Sequence, residues 1–372
     1  VNELIHEVRE LIRSARGAVV QSIDVIQVLT NFEIGRRIVE HEQGGKERAG
    51  YGKALLKELS AALTAEFGRG FSRANLQHMR IFYVSYRERL PEKCQTVSSI
   101  FESRELGQLA APDKSQTVSG VSQRAEIVQT LSAKSPPFKL SWSHYVFLIS
   151  IENKEERSFY EIESVSNGWS LRELKRQFNS GLYERLSLSR DQEGVKKLAT
   201  EGQIIARPED LLKDPYVLEF LGLDEKEKYS ESDLESAVID RLERFLLELG
   251  KGFLFEARQR RFTFDEEHYF VDLVFFNRLL RCYVLIDLKL GKISHTDLGQ
   301  MQMYVNYFDR HLKLDEEFPT IGIILCKKKH DALVEITLPE GANIHAREYQ
   351  LYLPDKELLK RKLEEWSKEV EQ

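Results

Sequence analysis

Cysteine is scarce in this chain. There are three in 372 residues, Cys94, Cys282 and Cys326, an odd number with no Cys-x-x-Cys spacing. A disulfide framework and a thiolate zinc site are therefore excluded, and buried, reduced thiols of a cytoplasmic protein are expected. Long apolar runs are missing too. Nothing approaches the length that spans a bilayer, and Val1–Glu10 is acidic and amphipathic, without the apolar core of a signal peptide. The chain opens on Val1 rather than Met, which leads us to expect a further segment upstream. An excess of positive charge is also absent. Lys plus Arg number 54 against 60 Asp plus Glu, a formal net charge of -6. That excludes a uniformly basic nucleic-acid coat, but not a local basic groove, because partners sense local fields. What is present is 42% hydrophobic and 31% charged residues, enough apolar material for two or three globular domains.

Residues 1–92 read as helices, with apolar residues recurring at three and four, as in Ile34, Ile38 and Leu55, Leu59, Leu63. Gly44-Gly45 and Gly50 break the pattern, and Ser72 is placed to cap a helix carrying Leu76, Met79, Tyr83 and Tyr86 on one face. Residues 93–137 turn rich in Ser, Gln and Thr and close on Ser135-Pro136-Pro137, the composition of a linker or insertion. Helical periodicity returns over 138–206, with helices expected at Glu155–Ser164 and Ser170–Leu186. Residues 207–232 read as a connector with Pro208, Pro215 and the charged run Asp224–Lys228.

Residues 233–353 show a clearer order, followed by a C-terminal helix over 354–372. A helix over Asp233–Leu249 stops at Gly250 and Gly252. Strands are expected at Phe253–Phe264, Tyr269–Asn277 and Arg281–Leu290, then a helix over Thr296–Arg310 and a buried strand over Thr320–Cys326. The fold class is α/β: a helical N-terminal domain, then an α-β-β-β-α-β core.

The chemistry sits in two of those strands. Tyr269–Phe276 is apolar on both faces, as in a central strand, yet holds Asp272. Cys282–Leu290 holds Asp287 and Lys289, two apart and so on one face. Burying a lone carboxylate or ammonium costs several kcal/mol, roughly, so three ionisable residues on adjacent buried strands need a reason. One reason is a buried Asp–Lys salt bridge that fixes register. The other is metal chemistry: Asp272 and Asp287 hold Mg²⁺ or Mn²⁺, and Lys289 orients or deprotonates a water or stabilises developing charge. Glu235, in the preceding helix, reads equally as a further metal ligand, directly or through water, or as a solvent-facing helix residue.

Asp272, Asp287-Leu288-Lys289 and Gln300–Tyr304 in the next helix together resemble the PD-(D/E)XK nuclease superfamily, in its RecB-like Gln-x-x-x-Tyr form. Phe245–Phe253, Val271–Phe276, Ile286–Lys289 and Ile321–Lys329 more closely resemble the YhcG family of bacterial nucleases. Gly35-Arg36, Tyr51-Gly52, Gly70–Ser72, Asn75-Leu76, Met79-Arg80, Phe82-Tyr83, Trp169-Ser170 and Arg172–Leu174 resemble that family's helical N-terminal domain. Val271 stands where the superfamily name has Pro, and Asp287 where this family more often has Glu. The resemblance implies a restriction-endonuclease-like fold for the core and a metal-dependent nuclease acting on nucleic acid, DNA foremost. It also implies a role in DNA processing or defence against foreign DNA.

Gln300 and Tyr304 are four apart and share a helix face. Periodicity alone favours a surface Gln beside a packed Tyr; the resemblance instead places both at the site, toward substrate. Arg73 and Arg80 lie among aromatics at core spacing and are candidates for DNA backbone contact or for docking a partner, either a second copy or a defence-complex protein. No membrane partner is expected. The competing reading, of a different class, is a catalytically silent nucleic-acid-binding or assembly protein that keeps the nuclease fold. Retention of Asp272, Asp287 and Lys289 together favours the enzyme.

Overall fold

The computed structural model describes residues 24–42, 49–89, 137–188, 190, 192–223, 229–264 and 266–370. The linker expected at 93–137, the charged run Asp224–Lys228, Gly44-Gly45 and Cys94 lie wholly or almost wholly outside them. The chain forms two compact units, residues 1–157 with 164–171, and residues 158–163 with 172–372. No described helix is long and apolar enough to cross a membrane.

The first unit is helical. It contains α1 (24–42), α2 (Ala49–Phe67), α3 (Arg73–Tyr86), α4 (Trp142–Leu148) and the two ends of α5 (Lys154–Asn167). Ser72 caps α3 by accepting the Asn75 N–H at 3.2 Å, as expected, and Leu76, Met79, Phe82 and Tyr86 are buried. Phe82 meets Phe138 and Tyr145 with ring centroids 5.0 Å away in each case, so aromatic contacts hold this core. Gly35 on α1 is needed for packing. A Cβ there would overlap the Met79 carbonyl of α3, so only glycine permits this approach. Gly50, expected as a break, lies in the first turn of α2.

The second unit begins earlier in sequence than expected. The helix anticipated over Ser170–Leu186 is two, α6 (Leu171–Asn179) and α7 (Leu182–Ser187), because Gly181 takes φ 64° between them. α8 spans Gln192–Glu201. Residues 172–206, read in sequence as helical-domain material, pack with the sheet through a buried charge cluster. Glu248, fully buried, accepts hydrogen bonds from Arg185 at 2.6 Å, the Val217 N–H at 3.0 Å and Arg176 at 3.3 Å. The buried Lys213 ammonium donates to the Glu248 carbonyl. Burial alone would raise the Glu248 carboxyl, but Arg185, Lys213 and Arg176 bring it down to about 2.

A six-stranded sheet runs in the order β1-β6-β5-β4-β3-β2. Its strands are β1 (Tyr216–Val217), β2 (Phe253–Phe264), β3 (Glu267–Asn277), β4 (Cys282–Lys292), β5 (Ile321–Lys328) and β6 (Ile344–Gln350). β2, β3 and β4 pair antiparallel; β4–β5, β5–β6 and β1–β6 pair parallel. The stretch 207–232 is therefore not merely a connector, since it carries β1. Two residues are too few for a period to register. The helix expected over Asp233–Leu249 is interrupted at Arg241, giving α9 (Glu231–Asp240) and α10 (Leu242–Leu249). Then come α11 (His295–His311), α12 (Asp331–Thr337) and α13 (Lys356–Val370).

Alternation along the central strands assigns two faces. Val284, Ile286 and Leu288 of β4 pack with Leu234, Val238, Phe245 and Leu249 of α9 and α10. Leu285 packs with Leu298, Met301, Tyr304 and Phe308 of α11. Helices on both faces explain why β4 and β5 are apolar throughout. They also put Asp287 and Lys289, odd-numbered like Leu285, on the α11 side.

Candidate active site

The β3–β4 ladder runs from Asn277–Cys282 to Leu273–Ile286 and ends there. The next residue outward on each strand is an aspartate, Asp272 on β3 and Asp287 on β4. Where the strands part, the Leu288 N–H loses its ladder partner, and Asp272 Oδ2 accepts it at 3.0 Å. The splay makes room for two carboxylates, and the freed backbone donor orients one of them.

Asp287 is only 4% exposed. Burial first, and the neighbouring Asp272 carboxylate second, push its carboxyl up to about 7, against the pull of Lys289. Lys289 Nζ lies 2.9 Å from Asp287 Oδ2 and 3.7 Å from Glu231 Oε2. Burial would lower the Lys289 ammonium, but Asp287, then Glu231 and Asp272, raise it above its ordinary value. Lys289 therefore stays a cation at neutral pH and can donate but not accept a proton.

Tyr304 of α11 is 1% exposed. Its hydroxyl is pushed up by burial and by the negative field of Asp287 and Asp272, while the Gln300 amide donates to it. Gln300 and Tyr304 thus act as a pair facing the acidic cluster. Gln302 is turned elsewhere and donates to Asn306 Oδ1 at 3.2 Å.

Glu235 is buried, at 4% exposure, rather than solvent-facing. Its Oε1 accepts from Arg258 Nε at 2.8 Å, and its Oε2 from Gln259 Nε2 at 2.8 Å. That same Gln259 nitrogen reaches Asp272 Oδ1 at 3.0 Å, so an amide stands between the two carboxylates. Among the described residues no group of three or more His, Cys, Asp or Glu side chains is gathered as a metal cage.

Sequence reasoning missed Gln259, Arg258 and Glu231. Gln259 sits in β2 with φ 47°, an irregularity no composition reveals. The one available signal is hairpin register. Arg258 pairs with Leu273 and Arg260 with Val271, which leaves Gln259 opposite Asp272. Arg73 and Arg80 belong to the helical unit. Arg80 is tied to Glu42 at 2.7 Å, while Arg73 is exposed. Cys282 and Cys326 are free and buried, and burial pushes their thiols up to about 12 and about 11.

The donor set suits a hard divalent cation. Burial first, and the neighbouring Asp272 carboxylate second, disfavour the ionised form of Asp287, a penalty that a cation would relieve. The available atoms are carboxylate oxygens, the donors such cations take.

Residues 209–364 match the YhcG PDDEXK nuclease domain, and residues 7–110 and 115–185 match the DUF1016 N-terminal domain. The protein named "Putative nuclease YhcG" of Escherichia coli (strain K12) is 44% identical over 357 residues, 95% of this chain and 92% of that relative. A solved repair endonuclease from Pyrococcus abyssi is similar over 35% of this chain and 50% of its own, at 18% identity and a TM-score of 0.23. Identity of 44% along nearly the whole of both sequences, with the nuclease domain falling on the strands that carry Asp272, Asp287 and Lys289, places this chain in the YhcG family, with a PD-(D/E)XK nuclease domain as its C-terminal part.

Proposed function

We propose that the chain hydrolyses phosphodiester bonds of DNA with the help of Mg²⁺ or Mn²⁺, and that the helical unit directs it to its target. The observation that carries this reading is the meeting of Asp272 and Asp287 at the end of the β3–β4 ladder, with the Lys289 ammonium 2.9 Å from Asp287. Asp272 and Asp287 would hold the ion, and Glu235 would act behind them through Gln259. An ion held there would supply an acidified water and neutralise charge on the scissile phosphate.

The chain's own residues do the rest. Lys289, kept cationic by its carboxylate neighbours, donates to a phosphate oxygen or the attacking water and stabilises the charge that develops. Tyr304 stays protonated at neutral pH and holds the Gln300 amide at the site's edge, where it can hydrogen-bond substrate. Leu288 and Gln259 hold Asp272 in one orientation from two sides. Of Arg73 and Arg80, Arg73 is the exposed one and is the candidate for phosphate contact. We extend the reading to the defence or processing of foreign DNA on the strength of the family resemblance.

The test is incubation of the full chain with labelled single- and double-stranded DNA and RNA, with EDTA, Mg²⁺ or Mn²⁺. Metal-dependent cleavage of DNA supports the reading. Cleavage of no substrate under any condition would favour a silent binding protein instead.

A further inference from the structure

Beyond Asp287 and Lys289, β4 and β5 continue past the site, and both end in lysines that the reading above does not use. The β4–β5 ladder pairs Lys289 with Cys326, then shifts register before pairing Lys292 with Lys328. The shift falls at Leu290-Gly291, and a bulge of this kind re-aims the residues after it. Here its result is two lysines directly opposite each other on neighbouring strands. Like charges in that position are unfavourable, by about 0.2–1 kcal/mol.

Lys292, Lys327 and Lys328 are all exposed, and among the described residues none has a carboxylate within salt-bridge distance. Lys327 lies over the Tyr229 ring at 5.1 Å. Lys329 is the contrast: Asp214 at 3.1 Å and Asp331 at 3.2 Å neutralise it. The sequence therefore pairs one lysine of this run with acids and leaves its neighbours without them.

Position completes the case. Cys326, the register partner of Lys289, shares the α11 face with Leu285 and so with Lys289. Lys328 is two residues further along that face, about 7 Å on. Lys292 is three residues beyond Lys289, about 10 Å on. The two lysines therefore sit side by side, roughly 7–10 Å beyond the Lys289 rung. A row of cations that starts at the site and leads away from it matches a polyanion running through the site.

We propose that Lys292 and Lys328 form a phosphate track that holds the nucleic-acid backbone flanking the scissile bond, independently of sequence. This deepens the nuclease reading and rests on it for the identity of the polyanion. An acidic protein is the competing occupant. The regular Lys292–Lys328 pairing, set in line with the site, favours a phosphodiester chain.

The experiment uses the full chain in EDTA, so that binding is read without cleavage. Fluorescein-labelled random-sequence DNA, single-stranded and duplex, is titrated between roughly 50 and 200 mM salt, the range over which backbone contacts are read from the slope. Lys292→Ala/Lys328→Ala should lower the slope of log affinity against log salt by about 1.4 for single strands and 1.8 for duplex, two contacts' worth. Affinity should fall about tenfold at the higher salt, equally for unrelated sequences. The melting temperature should hold or rise, since a repulsion is removed; Lys292→Gln/Lys328→Gln repeats the measurement if alanine perturbs the strand ends. An unchanged slope and affinity in both double variants overturns the track. So does a wild-type chain that binds no DNA, or one that binds poly-glutamate as tightly and loses it in the same variants. The nuclease reading fails separately. Slope loss in the variants with no cleavage by wild type under Mg²⁺ or Mn²⁺ removes the activity and leaves the track. Cleavage with unchanged KM in the double variants removes the track and leaves the activity.

Discussion

Replacing Asp287 by asparagine should stabilise the metal-free protein at alkaline pH while ending its activity. The carboxyl is pushed from 3.8 up to about 7 by burial and by Asp272. A rise of roughly three units corresponds to ~4 kcal/mol of disfavoured ionisation, at about 1.4 kcal/mol per unit. The sign follows from proton counting. Between pH 4 and 7 the folded state keeps a proton here that the unfolded chain has lost, so stability falls as pH rises through that window. Below it the group contributes no penalty; above it the penalty is complete. Asparagine cannot ionise, and the pull of Lys289 at 2.9 Å is already contained in that rise. Asp287→Asn at pH 8 should then be more stable than wild type by up to ~4 kcal/mol, a melting temperature higher by several degrees for a domain of this size. At pH 5 the advantage should vanish or reverse. Thermal unfolding followed by circular dichroism in EDTA at the two pH values measures this. Adding Mn²⁺ should then raise the melting temperature of wild type and not of the variant, because an ion that binds only the folded site stabilises it. A variant destabilised by the same amount at both pH values would refute the argument, since the carboxylate would then be comfortable where it is.

Other substitutions separate the roles of neighbouring residues. Asp272→Ala and Lys289→Ala should each abolish cleavage with the circular dichroism spectrum unchanged; wild-type turnover in either purified variant would remove that residue from the site. Gln300→Ala should slow cleavage by roughly ten- to a thousandfold, the scale of one or two oriented polar contacts. Gln302→Ala, whose side chain is turned to Asn306, should leave the rate near wild type, and equal losses from both would place the helix face wrongly. Gln259→Leu should reduce activity through Asp272 and be partly rescued by raising the Mn²⁺ concentration, whereas Gln259→Glu should add a third negative charge beside Asp272 and tighten Mn²⁺ in calorimetry. Arg185→Ala should lower the stability of the sheet-containing unit by about 3–5 kcal/mol, because Glu248 is left buried and less compensated; urea unfolding that shows a loss under 1 kcal/mol would contradict the importance of that cluster.

The central architecture was legible because its signals are periodic. Two-sided apolar strands at β4 and β5 declare helices on both faces, and Gly250 and Gly252 mark the entry to β2. The parts that escaped are those where a single residue decides against the period. Gly181 divides what reads as one helix into two, and Arg241 does the same between α9 and α10. β1 is two residues long and forms because the β6 edge is available to it, a fact about residues more than a hundred positions away. The packing of residues 172–206 onto the sheet depends on Arg185 meeting Glu248, and charges that pair across 63 positions carry no local pattern.

The site divides along the same line. Asp272, Asp287 and Lys289 could be found because an ionisable residue in an apolar strand violates a strong local rule, and such violations gather where chemistry is done. Gln259 violates nothing. It lies between two arginines on a strand whose outer face is polar, and by pattern it is a solvated side chain. What gives it a role is a backbone turned to φ 47° opposite the splayed ladder, which brings its amide within 3.0 Å of Asp272 and 2.8 Å of Glu235. Glu235 shows the same limit. Its sequence position left a surface residue open, and pairing shows instead a buried carboxylate linked to Asp272 through the Gln259 amide and paired with Arg258. Residues that touch the chemistry leave a mark in the pattern of their own strand. Residues that hold those in place are chosen by register and by backbone irregularity, so they become visible only once the strands are paired.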